Sequence, residues 1–229
     1  MYKISISERT LHFKQPAGTS RGVYTTRHSY YLHLTSDEAP GVEGVGECAT
    51  LPDLSCDAKP EYEVTLRQIC QMVEQMGRIP YDMIRAYPSI TFGLETAFAS
   101  FFEAARSKHL LATHGDAAGQ GTIAVPAWAQ NLASLYDSPF ARGEEGITIN
   151  GLVWMGTYEE MLARLEEKLK AGFHCVKLKI GAIDFFKELD LIKRIRDVYT
   201  KEQVERKIEV AYCRANIDTF DETPFECGR

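Results

Sequence analysis

Hydrophobic and polar positions change their period twice along the chain of 229 residues. Over the first fifty, apolar residues alternate with polar ones: Tyr2, Ile4 and Ile6 at the start, a Val-, Tyr- and Thr-rich run over 23–34, and a glycine-punctuated run over 41–50. Period-two alternation of this composition predicts a meander of three antiparallel strands. Residues 14–22 separate the first two strands with Pro16, Gly18, Gly22 and the hydroxyls of Thr19 and Ser20, which predicts a mobile loop. A second loop is expected over 51–57, and both are long enough to reach out of the domain.

From Glu61 the spacing becomes helical. Val64, Ile69, Met72 and Met76 predict one helical face ending at Gly77, and a second helix is expected from a Ser89 cap through Phe92, Leu94, Ala97, Phe98, Phe101 and Phe102. The second is too apolar for a surface helix. Residues 112–146 are glycine-rich and aperiodic, which predicts a loop-rich linker with a helical turn over 127–135. Its run Gly115 to Gly121 does not fit a P-loop and reads as flexible chain.

The last part has a third grammar. Residues 147–155 read as a strand, and Thr157 to Glu160 form a capping box for a helix with Met161, Leu165 and Leu169 inside and Gly172 at its end. Residues 174–180 read as a strand, and Asp184 caps a helix with Phe185, Leu189, Ile192 and Ile195 inward. Residues 207–212 read as a third strand. This β-α-β-α-β order predicts parallel strands. A closed (β/α) barrel takes about 250 residues, and residues 147–229 hold only about two and a half β/α units. Three open parallel strands leave an apolar face and two edges uncovered, so self-association through that fragment is expected.

Composition narrows the class. With 45% hydrophobic and 25% charged residues the chain forms a core, which excludes a disordered tail or a disulfide miniprotein. Lys and Arg number 26 against 32 Asp and Glu, net −6, so no nucleic-acid or membrane partner is expected. Six cysteines without a C-x-x-C pair, and an N-terminus without a secretory signal, predict reduced thiols and a cytoplasmic protein. No run approaches a membrane span. His109 and His114 lack partners at zinc-ligand spacing, and no G-x-S-x-G elbow occurs.

The most informative chemistry is in Val176-Lys177-Leu178-Lys179-Ile180. In a strand, Lys177 and Lys179 share one face and Val176, Leu178 and Ile180 the other. Two ammonium groups about 7 Å apart repel by about 2 kcal/mol at an effective dielectric near 20. That repulsion favours a neutral, basic lysine. A solvated edge strand whose lysines discourage aggregation is the other reading of the same spacing.

Taken in order, Gly44-Val45-Gly46-Glu47-Cys48, Phe92-Gly93-Leu94-Glu95-Thr96-Ala97, Ile149-Asn150-Gly151-Leu152-Val153-Trp154 and the Lys177-Leu178-Lys179 strand resemble the enolase superfamily. Within it they are most similar to the o-succinylbenzoate synthase family, over about residues 1–210 apart from the glycine-rich insertion. The resemblance implies an α+β capping domain followed by an incomplete α/β (β/α) barrel: residues 1–111 the cap, 112–146 a linker or insertion, and 147–229 a partial barrel. It implies a Mg²⁺-dependent lyase of menaquinone biosynthesis that dehydrates a cyclohexadiene carboxylate, a small-molecule substrate, to o-succinylbenzoate. By the family pattern Lys179 takes the proton alpha to the carboxylate and assists departure of the hydroxyl, and Lys177 is its electrostatic neighbour. Thr19, Ser20 and Arg21 would be loop contacts to the anionic substrate. Dipeptide epimerases of the same superfamily share the lysine strand, and a non-catalytic truncated remnant is the reading from another class.

The sequence departs from the family after residue 210. Where the family has an R-x-D-x-N run with a metal-binding Asp, aligning Ala215-Asn216 puts Arg214, so metal ligands are missing from the chain. The expectation is a truncated or frame-disrupted relative, inactive by itself.

Overall fold

A computed structural model of the chain describes residues 1–198 except 20–21, 113–121, 135, 137, 174, 180 and 182. Two compact units emerge, one formed by Met1–Gln15 with Thr25–Gly146 and the other by Pro16–Tyr24 with Ile147–Arg229.

The first unit is built on strands β1 (Tyr2–Thr19), β2 (Gly22–Ser36) and β3 (Glu43–Ala49), in the order β1-β2-β3. β2 and β3 pair antiparallel, with Leu32 opposite Gly46 and Leu34 opposite Gly44. The alternation works as expected: Tyr2, Ile4 and Ile6 lean on the core, and Leu32 and Leu34 are fully buried in it. The loop expected over 14–22 is corrected, because both strands continue through it apart from residues 20–21, which lie outside the described residues. Ladder bonding to a neighbouring strand outweighs the local preference of Gly and Pro, and β1 is an edge strand, the place in a sheet where proline is tolerated. Residues 51–57 form turns, as expected.

Helices α1 (Tyr62–Met76) and α2 (Pro88–Ser107) cover the sheet. α1 ends at Gly77, whose φ of 66° is the left-handed cap that glycine adopts without penalty. Its buried stripe is Tyr62, Leu66, Ile69, Cys70 and Val73. Val64 and Met76, expected on that face, are exposed; tertiary packing chose the neighbouring stripe, where Tyr62 aligns with Leu66, Cys70 and Val73. α2 buries Ile90, Leu94, Ala97, Phe98, Phe101, Phe102 and Ala105, as its composition predicted, while Phe92 is 60% exposed. Ser89 lies inside the helix rather than capping it; the first turn is capped from outside by Asp57, whose Oδ2 accepts from Ser89 N at 2.9 Å and Oγ at 2.5 Å. Beyond α2, a 3₁₀ turn (Ala127–Ala129) runs into the short α3 (Gln130–Ala133). It brings Ala129 and Ala133 into the same core and sets Trp128 edge-on to Phe98 at 4.9 Å.

In the second unit, β4 (Gly151–Val153), α4 (Tyr158–Lys170), β5 (Val176–Leu178) and α5 (Phe185–Val198) follow one another. β4 and β5 are parallel, as the βαβ order predicts. β4 is shorter than the expected 147–155, with Ile147 and Ile149 exposed, since strand geometry persists only where β5 supplies partners. The capping box is present: Glu160 N donates to Thr157 Oγ1 at 3.3 Å and Thr157 N to Glu160 Oε2 at 2.9 Å. Asp184 caps α5 by accepting from Phe186 N and Lys187 N. Val153, Met161, Leu165, Val176, Leu178 and Leu191 form the core under one face of the two strands. Phe185, expected inward, is 58% exposed, and Glu188 is buried instead, because it bonds the loop after β5. The strand expected over 207–212 lies outside the described residues.

Candidate active site

The site is built on the sheet face that the hydrophobic core leaves free. Val176 and Leu178 are buried in the core, so the period of two turns Lys177 to the other face, where it is exposed. Lys179 follows the last residue of β5 and extends the ladder: its N–H donates to Val153 O at 3.1 Å. The parallel register sets Leu152 opposite Lys177 and Val153 opposite Leu178, so the next pair along is Trp154 and Lys179. Lys179 Nζ stands 3.5 Å from the centroid of the Trp154 ring, a cation–π contact.

Two further groups hold this strand end and a third ties the flanking helices together, and periodicity alone singled out none of them. Arg164 on α4 donates to the carbonyls of Trp154 (3.2 Å) and Met155 (3.1 Å), fixing the chain where it leaves β4. Glu188 on α5 accepts from Gly181 N at 2.6 Å, fixing the chain where it leaves β5. Tyr158 of α4 donates to Asp190 of α5, and Arg194 donates to the same carboxylate at 3.2 Å. The tyrosine hydrogen bond, then Arg194, hold the Asp190 carboxyl below its usual range. The signal that could have found Trp154 was its place two residues after Leu152 on the strand paired with the lysines.

Thr19 ends β1 within the Pro16–Tyr24 stretch of this same unit; Ser20 and Arg21 lie outside the described residues, as do Arg214 and the whole run aligned with the family's metal-binding strand. Among the described residues, no group of three His, Cys, Asp or Glu side chains is arranged to hold a metal ion. Cys48, Cys56, Cys70 and Cys175 are free thiols; burial pushes the Cys48 thiol far up and that of Cys70 up to about 12, which suits packing and not nucleophilic work. No helix among the described residues is long and apolar enough to cross a membrane.

No family model matches the chain. The o-succinylbenzoate synthase of Desulfotalea psychrophila is 31% identical over 226 residues, covering 93% of this chain and 59% of the relative. The chain thus spans about three fifths of the length of the curated relative it matches. Among solved structures, MenC from Desulfotalea psychrophila LSv54 superposes with a TM-score of 0.50 at 24% identity, over 91% of this chain and 55% of that one. An enolase family member from Agrobacterium tumefaciens with homology to dipeptide epimerases gives a TM-score of 0.52 at 12% identity, over 90% and 57%. The structural likenesses carry the fold, a capping domain followed by barrel elements. By sequence the chain is similar to the o-succinylbenzoate synthase of Desulfotalea psychrophila over nearly all of its own length, and by fold it is similar to MenC and to an enolase family member.

Proposed function

We propose that the chain carries the proton-abstracting lysine pair of an o-succinylbenzoate synthase. Lys179 is the base that removes a proton alpha to the carboxylate of a small cyclohexadiene substrate, and Lys177 is its electrostatic neighbour. The observation that carries this reading is the pair's position on the core-free face of β5, toward the C-terminal end of a parallel strand, where barrel enzymes house their chemistry. In the step, the lone pair of the Lys179 amine forms the new N–H bond, and the electrons of the broken C–H bond stay on the substrate as an enediolate. A second proton transfer, from the lysine to the leaving hydroxyl, releases water. Thr19, Ser20 and Arg21 are proposed to meet the substrate carboxylate.

In the family, Mg²⁺ supplies charge stabilisation to the enediolate. The described residues do not fit such a site, since no three potential ligands gather among them and no step above runs through a metal. Without that stabilisation the barrier rises by several kcal/mol, a loss of roughly a hundredfold or more. The 229-residue chain by itself is therefore proposed to be inactive, and its exposed Leu152, Phe185 and Phe186 to favour self-association. The test has two arms. Assayed alone with Mg²⁺, the chain should not dehydrate the cyclohexadiene carboxylate; joined to the later barrel strands of the Desulfotalea relative, it should. Turnover by the chain alone would remove the claim of inactivity, and a folded fusion without turnover would remove the claim of a competent lysine pair.

A further inference from the structure

The face of β4 and β5 that presents the lysines also presents an aromatic ring, and the contact between them is set by the backbone. The ladder bond from Lys179 N to Val153 O carries the register one residue past the regular strands and brings Trp154 alongside Lys179. Arg164 clamps the two carbonyls that follow Val153, so the residue bearing the ring is held from α4 independently of the lysine. The ring edge makes no polar contact of its own: Trp154 Nε1 is buried with no hydrogen-bond partner among the described residues. An indole placed for its edge would find an acceptor. Here it is the face that has a partner, with Lys179 Nζ at 3.5 Å from the centroid, well within the range of about 6 Å over which a ring attracts a cation.

We infer that Trp154 is a positioning residue for Lys179, its indole face forming the seat on which the lysine ammonium rests. This rests on reading Lys179 as the proton acceptor. A lysine is a point charge on a flexible four-carbon stem, so by itself it does not hold one geometry. The π face attracts the ammonium and has little hold on the neutral amine, so the seat engages as Lys179 gains its proton. It then holds the charged group in place until the proton passes to the leaving hydroxyl. The Lys177 ammonium on the same face acts in the opposite sense, since like charges disfavour one another. Ring and neighbour together set where the Lys179 ammonium rests.

The test uses the full chain and requires no turnover. Reductive methylation with ¹³C-formaldehyde converts lysines to dimethyl-lysines that keep their charge, and the Lys179→Arg variant identifies the Lys179 signal. In the unsubstituted chain that signal is expected upfield of the exposed lysines, displaced by the ring current of the indole. Trp154→Phe should keep a smaller displacement, and Trp154→Leu should return the signal to the exposed position while leaving that of Lys177 unchanged. A Lys179 signal that coincides with the exposed lysines in the unsubstituted chain, or that Trp154→Leu does not move, overturns the inference. Because the readout is spectroscopic, its failure is separate from failure of the fused protein to turn over, which bears on the enzymatic reading alone.

Discussion

Gly46 on β3 and Gly93 on α2 meet backbone to backbone: a Cβ on Gly46 would overlap the carbonyl oxygen of Gly93, and one on Gly93 would overlap Cys48 Sγ. Strand and helix approach this closely only because neither glycine has a side chain. Gly46→Ala is therefore expected to lower stability by roughly 3 kcal/mol, the upper end of usual overpacking costs, read as a shift of the urea midpoint. Gly77→Ala is the control. Nothing stands within 4 Å of its Cβ position, and only the positive φ of 66° opposes it, so the expected cost is about 1 kcal/mol.

Asp57 is 1% exposed and fastens the turn segment before α1 to the first turn of α2. Ser89 Oγ spends its proton on Asp57 and so accepts from Tyr62 OH, 2.6 Å away, making a three-residue chain of hydrogen bonds. Asp57→Ala orphans two donors at once and should cost roughly 2 kcal/mol. Tyr62→Phe should cost less, since Ser89 keeps its bond to Asp57. Equal losses in chemical denaturation would contradict this chain.

Alkaline pH should destabilise the first unit in a defined window. Burial, helped by the charge of Glu38, pushes the Tyr2 phenol from 10.0 up to about 12, and burial also pushes the Tyr81 phenol up to about 12. Between those values the unfolded chain has lost tyrosine protons that the folded chain keeps, so the tyrosine contribution to stability is full below pH 10 and is lost as pH rises toward 12. Tyr2→Phe should flatten part of that decline. Thermal melts across the window check it, and a decline equally steep in the variant would exclude Tyr2 as a source.

The two lysines should separate in the protein fused to the relative's later barrel strands. Lys179→Ala is expected to lower kcat by at least about a hundredfold, the usual contribution of a positioned base. Lys177→Ala should leave measurable turnover, because it removes a neighbouring charge and not the proton acceptor. Equal loss in both variants would argue against the division of roles.

Much of the fold was legible from local pattern. The alternation of Tyr2, Ile4 and Ile6, the Thr157–Glu160 capping box, the Asp184 cap and the Gly77 stop each depend on neighbours a few residues away, and each is found in the structure. The misreadings share a cause. The strands passing through residues 14–19, the shortening of β4, the exposed Val64 and Phe185 and the buried Glu188 all depend on what a distant segment offers as partner. The lysine pair was legible because period two fixes which side chains share a face. The contact with Trp154 was not, because register between β4 and β5 is a relation across 25 residues that no local spacing contains.

The sequence by itself determined the order of the described elements, the caps at Gly77, Thr157 and Asp184, and the separation of Lys177 from the apolar side of its strand, since these follow from backbone periodicity and short-range hydrogen bonding. Only the tertiary structure decided that Gly46 and Gly93 touch, that Asp57 caps a helix 32 residues away, and that an indole lies against the Lys179 ammonium. Those relations are set by packing and strand register, which come into being when segments remote in the chain are brought together.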